Sequence, residues 1–269
     1  MKNYKSKPLV SIIINCHNGE KYLNKSINSV LSQSYKNWEI IFWDNYSSDN
    51  SRKIIQSYKE KKIKYFKSST FTSLYQARNQ AIKKAKGTHI CFLDTDDIWM
   101  KNKLKSQVHF MKSKPEYEIQ YSNYFVKNEI KKIKYLKFNK KFRSGKVTQE
   151  LLNYYSIGIL TVFLKKSIFD NFIFDRRYSV IGDFDFFIKL SSKYKIAYVE
   201  KPLAIYRVHK NNYHSKYIHK LISELSFWIK KNKNTLNKEN LSLFNQKFYL
   251  FKLRVKYILK NIFGCVVQW

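Results

Sequence analysis

Glycine and proline are scarce in this chain, six and three among 269 residues. Segments rich in those two residues mark flexible or low-complexity stretches, and no such linker or internal repeat divides this sequence. Cysteine is almost as rare. Cys16, Cys91 and Cys265 form no CxxC pair and no Cys/His metal spacing, so neither a disulfide framework nor a zinc site is expected. Cys16 and Cys91 lie in or beside apolar runs and read as packed, reduced thiols. Acidic side chains are few, 19 against 52 Lys and Arg, for a formal net charge of +33. Such a balance favours phosphates, nucleic acid or an anionic membrane surface as partners. A codon bias towards Lys, Asn, Ile, Tyr and Phe would produce the same balance, so charge alone names no partner. No run reaches the roughly 18 apolar residues that span a bilayer. Nor does an apolar signal segment follow the basic start Met1–Lys5, and a cytoplasmic location is the expectation.

What is present is a folded composition, 44% hydrophobic and 17% aromatic, enough for one sizeable core with an appendage. Two periods alternate along the first half. Leu9–Ile14, Glu39–Trp43, Ile63–Phe66 and His89–Leu93 are short apolar runs of the kind buried on both faces of a sheet. Between them, Leu23/Ile27/Val30/Leu31, Ile54/Ile55/Tyr58 and Leu74/Ala77/Ala81/Ile82/Ala85 recur at helical spacing, and Gly87 follows the last stripe. Strand–helix alternation of this kind predicts a doubly wound, Rossmann-like, mainly parallel α/β sheet. Ligands of such sheets bind beyond the carboxyl ends of the strands. Three ends carry polar groups: Asn15–Asn18, Asp44-Asn45 and Asp94–Asp97.

Beyond residue 100 the alternation weakens. A helix through Leu104, Val108 and Met111 ends near Pro115, and Tyr117–Val126 reads as a strand. Residues 127–146 are basic, a loop or hairpin. Ile159–Leu164 and Ile196–Val199 read as strands, and a helix starts near Gly182. From Tyr217 the chain turns helical and basic, with 14 Lys and Arg over residues 201–269 against Glu224 and Glu239. The expected organisation is therefore a catalytic domain over 1–210, in halves of 1–100 and 101–210, and a basic helical extension over 211–269.

Asp94-Thr95-Asp96-Asp97 is the sharpest chemical signal. Closely spaced carboxylates at a strand end repel one another unless a cation joins them. Hard oxygen ligands suit Mg²⁺ or Mn²⁺, which keep waters and are completed by substrate phosphates. Taken alone, these four residues also fit a solvated acidic turn.

Several ordered motifs resolve that ambiguity. Pro8–Glu20 (PLVSIIINCHNGE), Ile40–Ser51 (IIFWDNYSSDNS), Ala77–Ala81 (ARNQA) and Phe92–Asp97 (FLDTDD) resemble the family 2 glycosyltransferases over about residues 8–100. The resemblance implies a GT-A fold that binds a nucleotide-diphosphate sugar. It implies that Asn15, His17, Asn18 and Glu20 wrap the nucleoside, with Asn45 beside them. Asp44 accepts a hydrogen bond from the base, which suits the imide of uracil or thymine and favours UDP- or dTDP-sugars; a helix-capping role is its alternative. Arg78 and Thr95 lie at the diphosphate, and Asp94 and Asp96 hold the metal. Gly182–Leu190 resembles the motif that supplies the catalytic base, assigned to Asp183. Many relatives carry an acid where Gly182 stands, which blurs the register. Asp185, two positions on, cannot share a helix face with Asp183 and is assigned to capping or the acceptor. Arg207 and His209, with Asn212 and Ser215 after them, resemble a late basic motif that approaches the diphosphate. Trp99 is expected on the acceptor side or in the core.

The chemistry implied is one inverting displacement, with Asp183 taking the acceptor proton and cations neutralising the leaving nucleotide. Expected partners are a nucleotide-sugar, a surface-glycan or lipid-linked acceptor, and an anionic membrane or a second copy for the C-terminal helices. A sugar nucleotidyltransferase and a non-enzymatic basic nucleic-acid binder are the two other readings. The first lacks its Gly-rich basic phosphate loop here, and the second has no use for carboxylates at strand ends.

Overall fold

In the computed structural model, which describes residues 7–210 and 217–263, the first hundred residues alternate as their periodicity predicts. Cys265, Asn212 and Ser215 lie outside the described residues. Strand β1 (Val10–Cys16), helix α1 (Glu20–Leu31), β2 (Trp38–Asp44), α2 (Ser51–Ser57), β3 (Ile63–Lys67), α3 (Leu74–Lys84) and β4 (His89–Phe92) follow in order. β1 pairs in parallel with β2 and β4, and β2 with β3. Nearly every residue of β1, β2 and β4 is buried, because crossover helices cover both faces.

Then come β5 (Ile98–Trp99), α4 (Lys103–Ser113), β6 (Ile119–Ser122), β7 (Phe125–Asn128), β8 (Ile133–Leu136), α5 (Thr148–Asn153), β9 (Phe163–Lys165), α6 (Gly182–Lys193), β10 (Ile196–Val199), β11 (Ala204–Val208), α7 (Ile218–Lys238) and α8 (Phe244–Phe263). A seven-stranded sheet runs β10-β6-β9-β4-β1-β2-β3, and a second sheet of four runs β5-β11-β7-β8. In the large sheet β9 runs antiparallel to both neighbours.

The second half departs from its periodicity in three places. Tyr117–Val126 is not one strand but two, β6 and β7, in different sheets. The break falls at buried Asn123, whose side chain accepts from the Tyr124 amide (2.9 Å) and donates to the Phe138 carbonyl (2.8 Å), turning the chain. Ile159–Thr161 forms a 3₁₀ turn, with the Thr161 hydroxyl on the Gly158 carbonyl (2.7 Å), so only Phe163–Lys165 pairs. Ala204–Val208, not expected as a strand from the sequence, is an inner strand of the small sheet, between β5 and β7.

The C-terminal helices share the core of the sheet. Leu225, Trp228 and Leu236 of α7, with Leu250 and Leu253 of α8, cluster with Phe186, Ile188 and Ile196. The boundary expected near residue 210 falls between β11 and α7, but it does not divide two cores. Glu224 of α7 goes further and accepts the backbone N–H groups of Ser179 (2.8 Å), Val180 (2.9 Å) and Ile181 (3.1 Å), just before α6. A carboxylate so placed satisfies three successive backbone amides of the segment that leads into the helix.

His89 opens β4 in a buried position against the Phe163 ring, 4.8 Å between centroids. Burial, with Lys165 nearby, pushes its imidazole down from 6.5 to about 4. The unfolded chain therefore binds a proton first as pH falls, and stability is lost between about 6.5 and about 4. A shift of this size corresponds to roughly 3 kcal/mol. Urea midpoints measured at neutral pH and near pH 4.5 are expected to diverge less for His89→Phe than for the wild type. Equal divergence would assign the acid limb to other groups.

Candidate functional site

Two loops meet at the carboxyl ends of β1 and β2, stitched by side chains. Asn18 adopts φ 53°, a left-handed conformation that asparagine tolerates better than most residues. Its amide donates to Ser47 Oγ (3.1 Å) and its side-chain oxygen accepts from the Ser48 amide (2.8 Å). The Gly19 amide donates to Ser51 Oγ (2.9 Å) and the Glu20 amide to Asp49 (2.9 Å). The Glu20 carboxylate in turn accepts from the Asn50 amide and side chain, both 2.9 Å. A Cβ at Gly19 would lie 3.0 Å from both Cys16 Sγ and Thr95 Oγ1, so this loop packs onto the acidic segment after β4.

Asp44 is buried at the end of β2. It accepts from the Ser47 amide (2.8 Å) and the Tyr65 hydroxyl (2.7 Å); burial and this carboxylate raise the Tyr65 phenol well above its usual range. Asn45 clamps Thr72 through both ends of its amide, and its carbonyl meets His17 Nδ1 at 3.1 Å. The His17 ring lies 4.6 Å from that of Phe71, which is 60% exposed. Tyr46, next to Asn45 in the chain, adopts φ 66° and is also exposed. Neither aromatic was singled out in the sequence, where both sit in polar loops without periodicity. The Nδ2 of Asn15 is buried and has no hydrogen-bond partner among the described residues.

Arg78 is the centre of the site. The residue is 1% exposed, although it lies on a helix. Nη1 donates to Asp183 Oδ1 at 2.6 Å and Nη2 to Asp94 Oδ1 at 3.0 Å. Tyr75, Phe92 and Phe174 surround it with ring centroids 5.5–5.8 Å away. The planar fork of arginine allows one side chain to join two carboxylates. These two come from the segment after β4 and from α6, 89 positions apart in sequence by their numbers.

Asp183 sits in the first turn of α6, where the helix dipole favours a negative charge. Asp185 turns the other way. It is fully buried, accepts from Trp228 Nε1 (3.0 Å) and pairs with Lys189 (2.5 Å). Enclosed against α7, it is a core position, unlike the open one that an acceptor contact would need. Trp99 is likewise buried, its indole N–H on the Leu160 carbonyl (2.9 Å) and the Lys103 ammonium 4.1 Å from its ring. Trp99 is a packing residue of β5.

The departure at Gly182 has a steric reason. A Cβ there would lie 2.4–2.5 Å from three carbons of the Tyr75 ring. Any side chain at 182 therefore pushes the first turn of α6, and Asp183 with it, off Arg78. Gly182→Ala is expected to lower turnover by about a hundredfold, as misplacements near 1 Å do. Adding Tyr75→Leu should restore part of it. Unchanged turnover in Gly182→Ala would show that α6 absorbs the methyl.

Asp94 and Asp96 are partly exposed, and Asp97 is buried. Burial first, then Asp94, raises the Asp96 carboxyl; burial with Asp96 and Asp94 raises Asp97 further. Two late residues close over this strand end. His209 Nε2 lies 3.0 Å from Asp96 Oδ2, and its ring stacks on Tyr22 at 4.4 Å. Arg207 donates through Nε to the Asp96 carbonyl, through its amide to Asp97 Oδ1 (3.1 Å), and through Nη2 to the Tyr22 carbonyl (3.4 Å). Tyr22 and Glu224 were not among the expected site residues. Their partners lie tens to almost two hundred positions away, so no local spacing marks them.

Sheet order, switch in strand direction and acidic strand end together define a GT-A fold, and solved structures agree. S. aureus TarS in complex with UDP-GlcNAc superposes with TM-score 0.63 at 16% identity, covering 82% of this chain and 66% of that one. The mannosyltransferase PcManGT of Pyrobaculum calidifontis, in complex with GDP-Man and Mn²⁺, gives TM-score 0.64 at 14% identity, covering 97% and 77%. The glycosyl transferase family 2 model matches residues 11–177. The chain belongs to that family.

Among its relatives, the Escherichia coli UDP-Glc:alpha-D-GlcNAc-diphosphoundecaprenol beta-1,3-glucosyltransferase WfgD is 38% identical over 167 residues, 62% of this chain and 64% of that one. The teichuronic acid biosynthesis glycosyltransferase TuaG (putative in its own name) of Bacillus subtilis (strain 168) is 39% identical, over 39% and 42%. An uncharacterized glycosyltransferase of Methanocaldococcus jannaschii is 31% identical over 78% and 74%. The matched stretch thus spans less than two thirds of the first two of these relatives.

Proposed function

We propose that this protein transfers a sugar, with inversion, from a UDP-sugar to a hydroxyl of a lipid-linked or surface-glycan acceptor. The observation that carries the reading is the guanidinium of Arg78 held between Asp94 and Asp183. It joins the acidic strand end to a carboxylate facing it from α6. Residues 1–100 would bind the donor and 101–210 the acceptor. Asn15, with its unpartnered buried amide, His17 and exposed Phe71 line the strand ends where a nucleoside would lie. Asp44 would meet the base, a preference that favours UDP over dTDP only through the relative that acts on UDP-Glc.

In this reading Asp183 accepts the proton of the attacking hydroxyl as that oxygen reaches the anomeric carbon from the face opposite the nucleotide. The paired Arg78 orients its carboxylate and adds positive charge near the departing diphosphate. Arg207 and His209, anchored on the Asp96 segment and Tyr22, stand ready to contact the same phosphates.

The oxygen donors of Asp94 and Asp96, beside raised and mutually repelling carboxyls, fit a divalent cation such as Mn²⁺ or Mg²⁺. Among the described residues no third His, Cys or carboxylate completes a cluster, so the rest of its coordination would come from donor oxygens and water. Bound there, it would supply charge to the leaving nucleoside diphosphate.

The test is nucleotide release from UDP-, dTDP-, GDP- and CMP-sugars with Mn²⁺, for the wild type beside Asp96→Ala. Release from a UDP-sugar is expected, reduced by about two orders of magnitude or more in the variant. No release from any donor, with no nucleotide raising the melting temperature, would overturn the donor-site reading.

A further inference from the structure

Helix α8 is apolar on two opposite faces, and only one of them is used. Gln246, Leu250 and Leu253 are buried, on the side that meets α5 and α7. On the other side Phe244, Phe248, Phe251, Val255 and Ile258 are each between 38% and 70% exposed. At 3.6 residues per turn these five fall within an arc of about 80°. Their spacing of four, three, four and three is that of one continuous stripe. Phe244 and Phe248 stack on each other at 6.1 Å.

Cations border this stripe. By the same helical geometry Lys247 and Arg254 lie along one edge and Lys252 along the other, with Lys256 further round. The Lys252 ammonium stands 4.5 Å from the Phe248 ring. Over Phe244–Phe263 the sequence carries five Lys and Arg and no Asp or Glu. No helix among the described residues is long and apolar enough to cross a membrane.

We infer that the Phe244–Ile258 face of α8 docks on an anionic lipid bilayer, lying in the headgroup plane with its aromatic stripe inserted. An apolar stripe between two rows of cations matches the layering of an anionic interface, where acyl chains lie beneath negative headgroups. A second copy fits the same stripe poorly. Pairing two α8 helices would set Lys and Arg rows against one another with no acid on either to offset them. The inference is independent of the sugar-transfer reading, since none of these residues belongs to the site.

Flotation of the full chain with vesicles tests it. Vesicles of phosphatidylcholine with about a third phosphatidylglycerol are expected to carry the protein, and phosphatidylcholine alone is not, because attraction between opposite charges drives association. Raised salt should weaken the binding. Phe248→Ser with Phe251→Ser, both exposed, should reduce it about tenfold or more while melting temperature and nucleotide release stay unchanged. Lys252→Glu with Lys256→Glu should reduce it while keeping the stripe. Binding by the aromatic variant equal to wild type would overturn the inference. So would a dimer in light scattering that the aromatic substitutions dissolve, since the stripe would then pair two copies.

Discussion

Asp183→Asn is expected to lower kcat by about three orders of magnitude, the contribution of a positioned general base, while leaving donor affinity close to that of the wild type. The amide keeps the shape of the carboxylate and can still accept a hydrogen bond from Arg78 Nη1, now 2.6 Å away, so the fold should survive. It cannot take a proton from a hydroxyl. The expected signature is therefore a loss in kcat with little change in KM for the nucleotide-sugar, together with an unaltered thermal shift by the nucleotide. Steady-state turnover with donor and acceptor, beside nucleotide titration of the folded variant, reads both. A variant that retains turnover would move the base elsewhere. Asp185 is a poor substitute because Trp228 and Lys189 already occupy its two oxygens.

Arg78→Met should act on stability and turnover together. The methionine fills much of the arginine volume between Tyr75, Phe92 and Phe174 but leaves Asp94 and Asp183 facing each other without the cation between them. Removing one member of a buried charge network typically costs about 3–5 kcal/mol, read as a lower urea midpoint at neutral pH. Arg78→Lys separates the two roles. Its single ammonium keeps the charge but cannot reach both carboxylates in the planar geometry of a guanidinium. It should recover much of the stability and little of the turnover. A methionine variant as stable as the wild type would mean that the two carboxylates relax into solvent once the arginine is gone.

Much of this site could be read along the chain, and the residues show where reading stops. Asp94, Asp96 and Arg78 belong to short ordered motifs, the two acids just past the end of β4 and the arginine in α3. Periodicity located β1, β2 and β4 because strands covered on both faces must be apolar throughout. That constraint is local, and so visible. It also separated Asp183 from Asp185, since two positions on a helix cannot face the same way.

Other features depended on contacts between distant segments. Whether Trp99 lines the acceptor side or packs in the core turned on the carbonyl of Leu160, which local spacing does not reveal. Gly182 looked like a lapse from the family pattern until the Tyr75 ring occupied the space of its missing side chain. Val147 and Leu151, around α5, offered too short a stripe to mark a helix of six residues. Glu224 was one of two acids in a basic tail; only the tertiary packing of α7 brings it to three amides ahead of the first turn of α6.

The sequence by itself determined the parallel sheet, the acidic strand end and the family, because those rest on residues near one another in the chain. The tertiary structure decided which carboxylates meet Arg78, which polar side chains are shut in the core, and which face of α8 is left open. Those outcomes depend on the space left between elements and on which polar groups find partners across it, and both are fixed only when the whole core closes.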